Sequence, residues 1–189
     1  MIIRNLCLLG LAAFAVSACD EAVEPASAPT PAAATQVAAA PAPATAGTVT
    51  LDGEGLRLST NAPALVAFGA PTADVVALVK AALGSDPVTQ ANPDCPNGAT
   101  VDLAWGQSLT VVTRDGKFVS WNTNAAGPKT RSGVEVGSSR QVAEAGAGFE
   151  TYDSTFDLPA IEVDGVSGFL TADGTRVENL FGGDTCMAS

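Results

Sequence analysis

Residues 99–122 read ATVDLAWGQSLTVVTRDGKFVSWN, and the fold prediction starts from this stretch. It contains three runs of alternating apolar side chains, at 99–105, 108–113 and 117–122, and such runs are typical of half-buried β-strands. Asp115-Gly116 separates the last two runs, and an Asp-Gly pair in this position is a strong β-hairpin signal. The stretch therefore predicts a three-stranded antiparallel meander.

A second meander is predicted further along the chain, from runs at 160–163, 166–171 and 175–181. Its turns are again Asp-Gly pairs, Asp164-Gly165 and Asp173-Gly174. The same local pattern thus occurs twice, which indicates a weak internal repeat.

An amphipathic helix is predicted before each meander. In residues 73–84, apolar side chains recur at i, i+3, i+4 and i+7, and Gly84 is a plausible terminator. The second helix begins after Ser138 or Ser139 and runs to about Ala145. We therefore predict an α+β domain over residues 48–189 made of two helix-plus-three-stranded-meander repeats, with halves at about 48–126 and 127–189.

The amino terminus has the three parts of a secretory signal, over residues 1–18. Its end, Val16-Ser17-Ala18-Cys19, resembles the lipobox of bacterial lipoproteins. This resemblance implies cleavage before Cys19, lipidation of its thiol and a location in the cell envelope, anchored to a membrane and facing the periplasm. Residues 19–47 are rich in alanine and proline, and we predict a disordered linker there.

Cys95 and Cys186 are the two cysteines left outside the predicted signal and its lipidated residue. In an oxidising compartment such a pair is expected to form a disulfide. The bridge would link the middle of the domain to its carboxyl end.

The composition excludes several functions. The chain has 20 acidic and 9 basic residues, a net charge of −11, so nucleic acid and anionic lipid are disfavoured as partners. It has no histidine, which removes the commonest general base and the usual zinc ligand. Acidic groups at 52–55 and 153–157 lack the spacing of an established calcium loop, which leaves only loose calcium binding open. We predict no catalytic activity, no cofactor and no metal.

Three residues of the first meander are candidates for partner binding: Trp105, Trp121 and Asn122. Trp105 precedes Gly106 at a predicted bend, where an exposed indole could anchor a partner or stack on a sugar. Trp121 ends a strand, where core packing is the alternative, and Asn122 could extend the same surface.

The domain resembles the small outer-membrane-assembly lipoprotein repeat (SmpA/OmlA, BamE-like), and in its tandem, disulfide-bonded form it is similar to beta-lactamase-inhibitor-protein-like domains. The positions that carry the resemblance are Gly69, Thr72, Val75, Leu83, Gly84, Pro87, Gly137, Val142 and Asp173-Gly174. The resemblance implies that the domain binds another protein, as an assembly factor or an inhibitor-like module. The alternative is a module that binds a cell-wall glycan or peptide.

Overall fold

The computed structural model describes residues 47–59 and 64–186, and the statements on structure below concern these residues. They form eleven β-strands and two helices, α1 (Thr72–Leu83) and α2 (Arg140–Glu144). The strands are β1 (Thr48–Asp52), β2 (Gly55–Ser59), β3 (Leu65–Ala67), β4 (Val88–Asn92), β5 (Thr100–Trp105), β6 (Leu109–Arg114), β7 (Lys117–Thr123), β8 (Glu150–Tyr152), β9 (Ala160–Val163), β10 (Val166–Leu170) and β11 (Val177–Gly183).

The strands form two antiparallel sheets. The small sheet has three strands in the order β1-β2-β3, and the large sheet has eight in the order β4-β5-β6-β7-β11-β10-β9-β8. Strands β7 and β11 pair from Thr123 opposite Leu180 to Ser120 opposite Gly183, so the first and last parts of the large sheet meet at its centre.

The prediction of an α+β domain built from two helix-plus-three-stranded-meander repeats is wrong, because the described residues are mostly β-structure in sheets of three and eight strands. The small sheet was not predicted, and neither were the outer strands β4 and β8. All three residues of β8 are exposed, as are four of the five in β4. Exposed edge strands carry no alternating burial pattern, so periodicity does not reveal them. The second helix is only five residues long and buries only Ala143.

Two of the three predicted Asp-Gly turns occur as two-residue hairpin turns, whereas Asp173-Gly174 lies in the longer loop between β10 and β11. Asp115 and Gly116, between β6 and β7, have φ angles of 52° and 72°. Asp164 and Gly165, between β9 and β10, have φ angles of 55° and 75°. Both pairs thus adopt the left-handed conformation that a two-residue hairpin turn requires.

The hydrophobic core lies between the large sheet on one side and the small sheet with α1 on the other. Trp121 of β7 is fully buried, and its Nε1–H donates to the carbonyl oxygen of Asp52, 3.2 Å away, at the end of β1. Phe118 of the same strand packs on Phe68, with ring centroids 4.9 Å apart. The register between β6 and β7 shifts by one residue between Ser120 and Phe118, so both Phe118 and Trp121 face the core, and Ser120 and Asn122 lie on the other face.

Two buried carboxylates fix the turns at one end of the core. Burial alone would raise the pKa of Asp164, but hydrogen bonds from the Ser132 backbone N–H and hydroxyl, both 2.8 Å, help to hold it below its usual value. Burial would likewise raise the pKa of Asp52, but hydrogen bonds lower it below its usual value. The Asp52 carboxylate accepts these bonds from Arg57 Nε at 2.9 Å and from the Glu54 N–H at 3.0 Å. Both groups are therefore bound in their ionised form.

We expect the protein to lose stability in acid for this reason. A carboxyl whose folded pKa is depressed contributes stability above its unfolded pKa, about 3.9 for aspartate, and loses it as the pH falls through the folded pKa. Asp164→Asn should lower the free energy of unfolding at pH 7 by about 1–3 kcal/mol and flatten its decline below about pH 4. Urea unfolding at several pH values measures both effects.

Asp115→Asn is the matched control, because Asp115 occupies the same turn position with a similar φ but is exposed. Asparagine tolerates the left-handed conformation, so this variant should unfold like the wild type. An Asp164→Asn variant as stable as Asp115→Asn at pH 7 would contradict the role given to the Asp164 carboxylate.

Candidate functional site

A pocket of about 310 Å³ opens on the large sheet. Four of its lining residues are asparagines, and we call it the amide pocket. The residues that line it are Asn92, Asp102, Val112, Ser120, Asn122, Asn124, Asn179, Leu180, Phe181, Thr185 and Cys186. They come from five adjacent strands and from the segment that follows β11.

Strand register brings the polar side chains of the pocket onto one face. Asp102 of β5 lies opposite Val112 of β6, which lies opposite Ser120 of β7. Adjacent strands are about 4.8 Å apart, so the backbones of Asp102 and Ser120 are separated by roughly 10 Å. Asn122 is two residues beyond Ser120 on β7 and lies opposite Phe181 of β11. The side chain of Val112, which is 5% exposed, lies on the same face between Asp102 and Ser120 and forms an apolar floor there.

The face that carries the amide pocket is the one turned away from the core. Trp121 points to the small sheet, whereas its neighbours Ser120 and Asn122 line the pocket. Because successive side chains of a strand alternate between faces, the pocket lies across the sheet from the core.

Two polar atoms of the pocket are buried without a hydrogen-bond partner among the described residues, Asp102 Oδ1 and Ser120 Oγ. Ser120 is fully buried. Burial raises the pKa of Asp102, which indicates that no neighbouring group compensates its charge. A buried polar atom left unsatisfied costs about 1–3 kcal/mol, and native proteins contain few of them. Both atoms are shielded from water, so a ligand would have to displace neighbouring side chains to hydrogen-bond them and remove this cost.

The asparagines provide the complementary donors and acceptors. Asn179 Oδ1 accepts a hydrogen bond from the backbone N–H of Phe169, 3.0 Å away. This bond orients the amide and leaves its nitrogen to donate. Asn122 and Asn124 extend from the end of β7, and each amide can both donate and accept.

A disulfide forms one wall of the amide pocket. Cys186, which lines the pocket, is bonded to Cys95, so the disulfide expected from the sequence is present. Arg114 braces this wall, because its Nη1 donates to Asp184 Oδ2 at 2.6 Å and its Nη2 lies 3.6 Å from Cys95 Sγ. The segment that follows β11 is therefore held in place by a covalent bond and an ion pair.

The electrostatics of the amide pocket select against anions. Among the residues that the structure describes, Asp102 is the only charged one that lines it, and the full sequence carries a net charge of −11. Phosphate and carboxylate groups are usually bound by arginine, lysine or a helix amino terminus, and none of these lines the pocket. The pocket suits an uncharged ligand that combines hydroxyl or amide groups with apolar surface.

The structure separates the three residues that the sequence proposed for partner binding. Asn122 lines the amide pocket. Trp121 is fully buried, as its core-packing alternative predicts. The prediction that the Trp105 indole is exposed is wrong. Trp105 is only 5% exposed, and its Nε1–H donates to the carbonyl oxygen of Ser85, 2.9 Å away. Trp105 is the last residue of β5 and lies opposite the buried Leu109 of β6, so it packs in the core although the chain bends directly after it. Partner binding by these residues stays a prediction, and Cys19 lies outside the described residues.

The acidic groups weighed for calcium lie apart from the amide pocket. Asp52 is held by Arg57 and the Glu54 N–H, and residues 153–157 lie in the loop after β8. Within residues 47–59 and 64–186, no three cysteine, aspartate or glutamate side chains are grouped as metal ligands would be. None of the helices described is long and apolar enough to span a membrane.

Comparisons with protein-family models, with curated proteins and with solved structures found no match.

Proposed function

We propose that the protein is a non-catalytic lipoprotein of the bacterial cell envelope whose domain binds a cell-wall glycan in the amide pocket. The observation that carries the proposal is the pair of buried, unpartnered atoms, Asp102 Oδ1 and Ser120 Oγ, beside a pocket whose lining combines four asparagine amides with apolar side chains.

The chemistry of a saccharide fits this lining. A sugar hydroxyl can donate to the Asp102 carboxylate and can donate to or accept from the Ser120 hydroxyl. The amides of Asn122 and Asn179 can hydrogen-bond further hydroxyls or an N-acetyl group. Phe181 supplies apolar surface for the C–H groups of the ring. The volume of about 310 Å³ is at the lower end of the range for small-molecule sites and corresponds to one or two sugar units.

The envelope location is supported by the sequence of the amino terminus. The lipobox-like residues before Cys19 and the proline-rich linker that follows predict a domain tethered to a membrane. A linker of this composition reaches on the order of 80 Å when extended, which would bring the cell wall within range of the domain.

Binding to another protein is the alternative, and it was the function favoured by the sequence. Trp105 and Trp121, the tryptophans proposed for such a contact, are buried in the core and cannot contact a partner directly. The geometry therefore favours glycan binding over protein binding. Protein binding stays a prediction.

Two substitutions test the amide pocket because they should affect folding and binding differently. Ser120→Ala removes a buried hydroxyl without a partner, and Asp102→Asn removes a partly buried, uncompensated charge. Neither loss should destabilise the fold, and Ser120→Ala should change the free energy of unfolding by less than about 1 kcal/mol. Each variant should bind chitotetraose, a neutral N-acetylglucosamine oligomer, about tenfold more weakly than the wild type.

Calorimetry with the full-length protein measures the affinity, and retention on purified peptidoglycan tests the natural polymer. Gln141→Ala, an exposed amide on α2, is the control and should behave like the wild type. Equal affinity of all three variants and the wild type would contradict the proposal, as would a failure of the wild type to bind either probe.

A further inference from the structure

Strand β4 is the outermost strand of the large sheet and pairs only with β5 among the described residues. Its register with β5 is continuous from Val88 opposite Ala104 to Asn92 opposite Thr100, without a bulge. An edge strand of this kind presents a row of backbone N–H and C=O groups that a further strand can pair with.

Within its five residues, VTQAN, strand β4 has no charged side chain and no proline. Pro87 and Pro93 stand directly outside it and limit an added strand to these five residues. Val88 is 73% exposed, the largest exposure among the large apolar side chains described. The opposite edge of the same sheet differs: β8 has only three residues and carries Glu150, which lies opposite Glu162 of β9. Charge and short length are common ways to block strand addition, so the two edges are not equivalent.

The charges at the ends of β4 indicate which strand would pair with it. Asp86 precedes the strand and is bound by Lys80 Nζ at 2.6 Å. Asp94 follows it, is exposed, and has no ion-pair partner among the described residues. A strand added to β4 would pass Asp94, where a basic side chain is favourable and an acidic one is not.

A second copy of the chain fits this edge poorly. In an antiparallel pairing of two copies centred on Gln90, Asp94 of each copy would lie opposite Asp86 of the other, whose partner Lys80 is already engaged, so neither end offers Asp94 a free basic group. Two chains that each carry a net charge of −11 also repel each other. A foreign strand with basic ends has neither disadvantage.

We propose that β4 is a strand-addition site for an extended peptide of another protein, with an uncharged, β-prone centre and a basic residue that lies beside Asp94. The site lies at the sheet edge and goes beyond glycan binding in the amide pocket. Backbone hydrogen bonds would provide the pairing, and Asp94 would favour basic partners.

Three synthetic peptides test the proposal with the full-length protein. The first alternates threonine and valine and has a lysine at each end; the second has glutamate at the ends instead. The third is the lysine peptide with N-methyl groups on alternate backbone nitrogens, the ones that would face β4. These nitrogens can no longer donate hydrogen bonds to the strand. The lysine peptide should bind and slow the amide hydrogen exchange of β4. The glutamate peptide should bind more weakly, and the methylated peptide should not bind.

Val88→Lys is the diagnostic variant, because lysine is a residue that natural edge strands use against pairing. Val88 is exposed, so the variant should fold normally, and its affinity for the lysine peptide should fall about tenfold. Thr151→Lys, on the exposed edge strand β8, is the matched control and should bind like the wild type. Asp94→Asn should remove the preference for lysine over glutamate ends.

The proposal would be overturned by binding that survives backbone methylation and Val88→Lys, by exchange protection on β8 instead of β4, or by the absence of binding. Sedimentation showing a dimer that Val88→Lys disrupts would also overturn it, in favour of a second copy. Binding of chitotetraose is measured separately, so failure at β4 is distinguishable from failure of the amide pocket.

Discussion

Removal of the Cys95–Cys186 disulfide should lower the free energy of unfolding by about 4 kcal/mol. The bridge joins residues 91 apart, and in the chain-entropy account a loop of this size constrains the unfolded chain strongly. For a domain of ordinary stability, about 5–15 kcal/mol, this is a large fraction of the total. Urea unfolding of the Cys95→Ser/Cys186→Ser double variant, compared with the wild type, measures the change.

The wild type in reductant is the control for this measurement. Reduction breaks the bridge without changing a side chain to serine, so both samples should unfold at the same urea concentration. A wild-type midpoint that does not move on reduction would contradict the prediction. Because Cys186 lines the amide pocket, the double variant should also bind chitotetraose more weakly under conditions in which it remains folded.

Trp121→Ala should cost about 3–5 kcal/mol, the range found when a large aromatic side chain is removed from a packed core. Trp121 is fully buried, and it packs closely on Gly182 of the neighbouring strand. A Cβ atom added to Gly182 would lie only 3.0 Å from the indole ring. The strand pair β7–β11 is therefore packed around this indole, and a cavity there would weaken the centre of the large sheet. Thermal or urea unfolding measures the loss.

Trp121→Phe separates the packing of the indole from its hydrogen bond. Phenylalanine keeps most of the buried area but leaves the Asp52 carbonyl oxygen without its donor, which costs about 1–3 kcal/mol. We therefore expect the phenylalanine variant to be intermediate between alanine and the wild type. A phenylalanine variant no more stable than alanine would show that the hydrogen bond, and not packing, dominates at this position.

Local signals in the sequence predicted local structure well. The Asp-Gly turns at 115–116 and 164–165 occur because these residue types adopt positive φ at low cost, a property that needs no tertiary context. Helix α1 begins at Thr72 and ends at Leu83, before Gly84 in the left-handed conformation, as its apolar stripe and terminal glycine indicate. Both features are encoded within a few residues.

The large sheet could not be predicted in the same way. Its order places β11 beside β7, a pairing between residues about 60 positions apart, and no local pattern specifies such a partner. Strands β4 and β8 are exposed at the edges, so they lack the alternation by which buried strands are recognised. The small sheet has its tight turn at Gly53 and Glu54, inside the acidic stretch 52–55, and the carboxylates there indicate loose cation binding as readily as a hairpin.

The candidate site was predicted only in part, for a related reason. Asn122 was singled out because it follows a tryptophan, but its partners in the pocket depend on strand register. Asp102 and Ser120 lie on the same face, two strands apart, because both are paired with Val112 of β6. One signal was present in the sequence: a carboxylate and a hydroxyl interrupt otherwise apolar strands, at positions where burial is costly without a partner.

Titration of the isotope-labelled, full-length protein with chitotetraose, followed by the backbone amide resonances, tests the amide pocket most directly. We predict saturable shifts at Asp102, Ser120, Asn122 and Asn179, with β8 and the loop that follows it unchanged. The Ser120→Ala variant should require about tenfold more ligand for the same shifts. Shifts confined to other parts of the domain, or no shifts at all, would contradict glycan binding in this pocket.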